Sequence, residues 1–194
     1  MTIELDRQRT AIMFIDMQHS IAGHERFHAT TDACQRLLDM GRHDHLPIIF
    51  VHVRPYEHTK RAMRGESDVL LTRSTSSIPT DAKAYDIIDA LPVLPEDHLV
   101  TKHVRSAFVG TELDHLLRAL DVNTIVIAGI ATNIGVESTV RVGADLGYNF
   151  VVAKDACAAL STEAHDAALK YSLPFFARIA TLDQLAFTSD RDQF

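Results

Sequence analysis

A chain of 194 residues with 46% hydrophobic and 23% charged residues has the composition of a soluble globule, with enough apolar mass for one buried core. Its formal net charge of −7, without any cluster of lysines and arginines, argues against a nucleic-acid-binding face. No apolar run reaches membrane-spanning length, and the N-terminus lacks a signal peptide's basic-then-apolar layout. The two cysteines, Cys34 and Cys157, stand in neither metal nor redox spacing, so the expectation is a reduced, cytoplasmic protein of one domain, 1–194.

The first apolar run, TAIMFI at 10–15, predicts a buried strand, and Asp16 ends it. A carboxylate at the C-terminal end of a buried parallel strand stands where such folds bind ligands; equally, Asp16 can cap a turn or the next helix. Residues 30–44 predict a helix from the spacing of Ala33, Leu37, Leu38 and Met40, with Thr30, Thr31 or Asp32 as cap and Gly41 disturbing its end. Arg42, His43 and His45 read as a solvated patch there. A second buried strand, IIFVHV at 48–53, is closed by Arg54-Pro55. Residues 55–80 lack regular patterning and predict a loop over the strand ends with one short helix, serving as a lid or interface arm. His52, Arg54 and His58 can reach a site from this region, although a satisfied core His52 and a surface His58 are the favoured readings.

A short amphipathic segment at 83–90 is punctuated by Pro92 and Pro95, and Leu99–Thr101 predicts a brief strand ending in Lys102. A lone lysine usually faces solvent, so Lys102 matters only if it meets Asp16. Thr111 and Asp114 have capping-box-like spacing at the start of a helix over 111–120, with Leu113, Leu116, Leu117 and Leu120 on one side. Residues 124–128 predict the central strand, which breaks at Gly129, turns through Ile130-Ala131-Thr132 and restarts as a helix over 133–147. The first N–H groups of such a helix have no intrahelical partner and can hold negative charge. Glu137, Arg141 and Asp145 are spaced to pair along one helix face, and Gly147 suits a left-handed cap. A strand at 149–153, a helix at 162–172 capped by Ser161 or Thr162, a strand at 175–179 and a short helix at 181–187 complete the chain. Leu185-Ala186-Phe187 either packs within the monomer or supports self-association. The alternation of strands and helices predicts an α/β fold: a three-layer α/β/α sandwich with a mainly parallel central sheet.

The sequence has no G-x-G-x-x-G after a strand, no P-loop, no G-x-S-x-G elbow and no zinc-type histidine spacing. Neither a cofactor nor a metal is expected.

Three segments in order, AIMFIDMQ, TKHVRSAFVGTELDHLLRAL and IVIAGIATNIGVESTVRVGADLGYNFVVAKDACA, resemble the isochorismatase-like hydrolases, also called cysteine hydrolases, over nearly the whole chain. The resemblance implies that Asp16 is the catalytic aspartate and Lys102 the catalytic lysine. It also implies a cis peptide at Ile130-Ala131 that aims backbone N–H groups into an oxyanion hole. Amidase members carry a cysteine where this chain has Gly135, and Cys34 and Cys157 are not placed to substitute. The Asp/His metal set of nicotinamidase-type members has no match in the 52–58 region. The isochorismatases proper resemble this chain in having glycine at that position. They hydrolyse a vinyl ether, which needs an acid and charge stabilisation but no protein nucleophile. TNIGVEST lacks the aromatic and histidine residues of their turn, so their substrate does not carry over.

The expected function is therefore hydrolysis of a small molecule by Asp16/Lys102 acid–base chemistry. Gly135 marks the site of the missing thiol, and Ile130, Ala131, Gly135 and Arg54 are the candidate oxyanion or substrate contacts. The alternatives are a cysteine-independent amidase, with water activated by Asp16, and a non-catalytic member that binds a metabolite or serves in an assembly. The resemblance also implies a homo-oligomer.

Overall fold

The computed structural model describes residues 2–54 and 81–188; the loop read at 55–80, with His58, lies outside them. The apolar runs form the middle of the molecule. Strand β2 (Thr10–Ile15) and strand β3 (Ile48–Val53) are buried at every residue, as strands covered on both faces must be. With β4 (His98–Lys102), β5 (Thr124–Ile130), β6 (Asn149–Ala158) and β7 (Arg178–Ala180) they make a six-stranded sheet in the order β4-β3-β2-β5-β6-β7. Every pairing is parallel.

Alternate residues of β2 feed two cores. Ile12 and Phe14 point to one side, where Phe14 stacks on Phe50 at 5.3 Å, and Leu37 and Leu38 cover them from helix α2 (His28–His43). Met13 and Ile15 point to the other, under Leu113 and Leu117 of helix α3 (Leu113–Ala119) and Val140 of helix α4 (Glu137–Asp145). Helices therefore cover both faces of the parallel sheet, which is the expected three-layer arrangement.

Several boundaries differ from the sequence expectation. Helix α2 starts at His28 behind Phe27, without a side-chain cap, and Thr30 and Thr31 are buried inside it. Arg42 does not merely face solvent, because its guanidinium reaches Pro92 O at 2.6 Å and the nearly buried Asp97 at 3.0 Å. The segment at 83–90 contributes a 3-10 turn, Ala82–Tyr85, and a single antiparallel bridge from Ile87 to Gln18. No capping box opens α3: its cap position is Glu112, and the Thr111 hydroxyl donates to Ala107 O while accepting Leu113 N–H at 3.3 Å. The helix expected at 133–147 divides into a π turn, Thr132–Val136, and α4, with Gly147 at φ 94 beyond its end. Strand β6 runs on to Ala158, pairing Cys157 with Gly129 after an irregularity in register.

Helix α5 (Thr162–Ala167), capped by Ser161, passes into a second π turn at 168–172, and a 3-10 turn, Leu173–Phe175, precedes β7. The last expected helix is a single 3-10 turn, Leu182–Gln184, followed by strand β8 (Leu185–Thr188). Strand β8 pairs in parallel with β1 (Ile3–Asp6), so the apolar Leu185–Phe187 stretch is used within the chain. Among the described residues, no helix is long and apolar enough to cross a membrane.

Candidate active site

Strand order reverses between β2 and β5, from which successive connections run outward in opposite directions. The C-terminal ends of two such strands leave a crevice, the usual ligand position in a doubly wound sheet. Asp16 follows β2, the 130–136 turn follows β5, and Lys102 ends β4. The sheet thus delivers all three segments to one edge.

The chain leaves β2 sharply. Asp16 adopts φ 55, a left-handed conformation that aspartate tolerates better than most residues, while its N–H still donates to Val51 O at 2.8 Å. Gln18 fixes this exit. Its Oε1 accepts Val53 N–H at 2.8 Å and its Nε2 donates to Val53 O at 3.2 Å, with the side chain buried. No helix cap forms here, since Gln18, not Asp16, holds the cap position of helix α1 (His19–Ala22).

Asp16 Oδ2 lies 2.8 Å from Lys102 Nζ, and the two side chains are only 9% and 1% exposed. The ammonium also donates to Arg105 O at 2.8 Å. Asp16 Oδ1 is buried and has no hydrogen-bond partner among the described residues. Burial pushes the Asp16 carboxyl up to about 6, against the opposing pull of the Lys102 charge and its hydrogen bond.

Two glycines bring β5 and its turn against this pair. At Gly129, φ is 123 and a Cβ would lie 2.1 Å from Ile15 O, so only glycine lets the strand pass β2 there. The Ile130-Ala131 peptide is cis. At Gly135 a Cβ would lie 3.0 Å from Asp16 Oδ2 and 3.2 Å from Lys102 Nζ. A side chain at position 135 would therefore project onto the ion pair. Thr139 holds the far end of the turn: its hydroxyl donates to Gly135 O at 2.7 Å and accepts Ala107 N–H at 3.0 Å.

The other candidates are engaged elsewhere. Arg54 stands beside the end of β4, where its N–H donates to Lys102 O, but its guanidinium pairs with Asp86 at 2.8 Å. His52 is buried, with Nδ1 2.9 Å from Tyr85 O and Nε2 2.7 Å from Thr101 Oγ1, and burial holds it below its ordinary pKa. It is a satisfied core histidine. Glu137 is bound by Arg141 at 2.8 Å and by Ser172, whereas Asp145 makes no ion pair among the described residues. Cys34 is buried on α2 and donates to Ala156 O at 3.3 Å, with burial raising its pKa well above normal. Burial pushes Cys157 up to about 12. Neither thiol has the electropositive, accessible setting of a reactive cysteine. Among the described residues, no group of three His, Cys, Asp or Glu side chains is placed to hold a metal.

Gln18, Thr132, Thr139 and His165 carry contacts around this site that patterning does not single out. The one available signal was the position of Gln18 directly behind the strand-ending Asp16-Met17.

The model of the isochorismatase domain matches residues 10–184. The chain is 33% identical to the uncharacterized isochorismatase family protein YwoC of Bacillus subtilis, over 94% of this chain and 95% of that one. A solved isochorismatase family protein from Burkholderia thailandensis superposes with a TM-score of 0.85 at 34% identity, covering 95% of this chain and 97% of the other. A shorter similarity, 40% identity over 92 residues, links the chain to ureidoacrylate amidohydrolase RutB of Pantoea ananatis and covers 47% of this chain and 37% of RutB. With the family's model, an end-to-end relative and the fold in agreement, the chain belongs to the isochorismatase family of hydrolases.

Proposed function

We propose that this hydrolase acts on a small molecule through proton transfer by Asp16, with Lys102 as its charged partner and without a thiol nucleophile. The observation that carries the reading is the geometry at Gly135. The position from which a nucleophile would project is bare backbone, and a Cβ built there would lie 3.0–3.2 Å from the Asp16–Lys102 pair. Asp16 Oδ1 is left for the substrate. Of the ammonium's three protons, one goes to Asp16 Oδ2 and one to Arg105 O, and the third is the proposed donor to a substrate oxygen. Backbone N–H groups of Ala131 and Gly135 are the further proposed donors.

Vinyl ether hydrolysis fits these parts. The Asp16 carboxyl gives its proton to the alkene carbon, which leaves an oxocarbenium ion beside the resulting carboxylate. Water adds to the cation and returns a proton to Asp16, and the hemiketal collapses to a ketone and an alcohol. A carboxyl with pKa about 6 is protonated in roughly a tenth of molecules at pH 7. The test is release of pyruvate from 2-methoxyacrylate, coupled to NADH oxidation by lactate dehydrogenase. Asp16→Asn is expected to abolish turnover with folding retained; full activity in that variant ends the proposal.

A second reading is favoured by the same pKa. Asp16 is mostly ionised at pH 7 and so is suited to activate water against an amide, the bond class named for RutB. Ammonia release from ureidoacrylate distinguishes it. As a base, Asp16 gives a rate that rises with pH through about 6; as an acid, one that falls. Binding of these probes with no turnover would instead favour a non-catalytic member. Self-association is part of the proposal, supported by the exposed Leu160, Tyr171 and Phe175, and light scattering tests it.

A further inference from the structure

Beside the catalytic pair, Thr132 Oγ1 lies 2.8 Å from His165 Nδ1. A hydroxyl on an imidazole nitrogen is the geometry of an activated nucleophile. Thr132 is 0% exposed, inside the packing of its turn, where such a bond also fixes backbone. A buried bond of this kind serves a purpose in the structure.

Its place in the fold says what. Thr132 opens the π turn that ends against Asp16 and Lys102 at Gly135, and His165 belongs to α5, a separate element packed beside that turn. The far end is held by Thr139 through the Gly135 carbonyl. The turn is thus fastened at both ends by side-chain hydroxyls, with Thr139 bonded also to Ala107 N–H and Thr132 bonded to a side chain of α5. Burial lowers the His165 pKa below the ordinary value, which favours the neutral ring with one N–H and one acceptor nitrogen.

We propose that His165 is a positioning residue, which acts through Thr132 to hold the 131–135 backbone in place over the Asp16–Lys102 pair. The proposal rests on the reading of that turn as part of the active site. Its consequence is that α5 shares in forming the site although it supplies no group to the substrate.

The test compares His165→Ala, His165→Asn and His165→Gln in the full chain. Asparagine places an amide near the position of Nδ1, and glutamine places it near Nε2, so only His165→Asn can keep the Thr132 bond. Amide hydrogen exchange over 131–136 is expected to rise about tenfold in His165→Ala and His165→Gln and to stay near wild type in His165→Asn. With 2-methoxyacrylate or ureidoacrylate, whichever is turned over, kcat is expected to follow the same order with KM little changed. Equal exchange in His165→Ala and wild type, a rise spread evenly over the whole molecule, or failure of His165→Asn to differ from His165→Ala overturns the proposal. If the wild type turns over neither probe, the functional reading has failed, and the exchange pattern still decides whether His165 holds the turn.

Discussion

Replacing Gly135 with alanine perturbs the centre of the site with one methyl group. Its carbon would start 3.0 Å from Asp16 Oδ2 and from Ile15 Cγ2, and 3.2 Å from Lys102 Nζ. Each neighbour has to give by a few tenths of an ångström, and the ion pair at 2.8 Å is the one with charge at stake. Opening that pair by about 0.4 Å at an effective dielectric of about 20 costs roughly 1 kcal/mol. Crowding of the packed interior adds about 1–3 kcal/mol, and the better helical propensity of alanine returns up to about 1 kcal/mol. The net expectation is a loss of about 1–3 kcal/mol, seen as a fall in Tm of about 2–10 °C in calorimetry. Turnover is affected more, because the methyl occupies the space assigned to substrate and moves the carboxyl. A loss of about a hundredfold in kcat/KM is expected on the active probe. Unchanged turnover together with an unchanged Tm would refute the reasoning, since it would show that position 135 does not face the reacting groups.

Two further expectations follow from the buried groups. Cys34 and Cys157 are expected to resist iodoacetamide in the folded protein near pH 8 and to react only after unfolding; rapid labelling of either one with loss of turnover would bring thiol chemistry back. Asp16 also leaves a mark on stability. Its folded pKa of about 6 exceeds the ordinary 3.8, so the native state holds a proton that the unfolded chain releases between those values. The contribution of this group is therefore fully present below about pH 3.8 and is lost as pH rises through about 6, on the order of 3 kcal/mol in all. Urea unfolding of wild type and Asp16→Asn across pH 4–7 should show that downward slope in the wild type alone. Parallel curves would mean that the carboxyl titrates normally.

The sheet was legible because parallel strands buried on both faces are written as unbroken apolar runs. TAIMFI and IIFVHV match β2 and β3 residue for residue. Strands β1 and β8 were not, because each has four residues and IELD alternates no apolar face long enough to register. The extension of β6 was hidden for a related reason: Lys154 and Asp155 look like a strand end, yet the backbone continues to pair beyond them. Asp16 and Lys102 could be named as strand-end charges, but their meeting came from the resemblance and not from periodicity. Gln18, Thr132, Thr139 and His165 act by individual side-chain hydrogen bonds, which depend on particular approaches in space and leave no repeating pattern in the chain. Arg54 stands out in the sequence because it closes a strand, but its guanidinium is taken up by Asp86.

The proposed chemistry turns on a buried carboxyl, Asp16, that keeps its proton up to a pH of about 6. The direct measurement is the carboxyl carbon titration of Asp16 by NMR with labelled aspartate, assigned with Asp16→Asn and set beside the pH dependence of kcat/KM. The account predicts one aspartate with a midpoint at about 6, coincident with the limb of the rate profile. A carboxyl that titrates at the ordinary 3.8, or a rate indifferent to pH around 6, would contradict it.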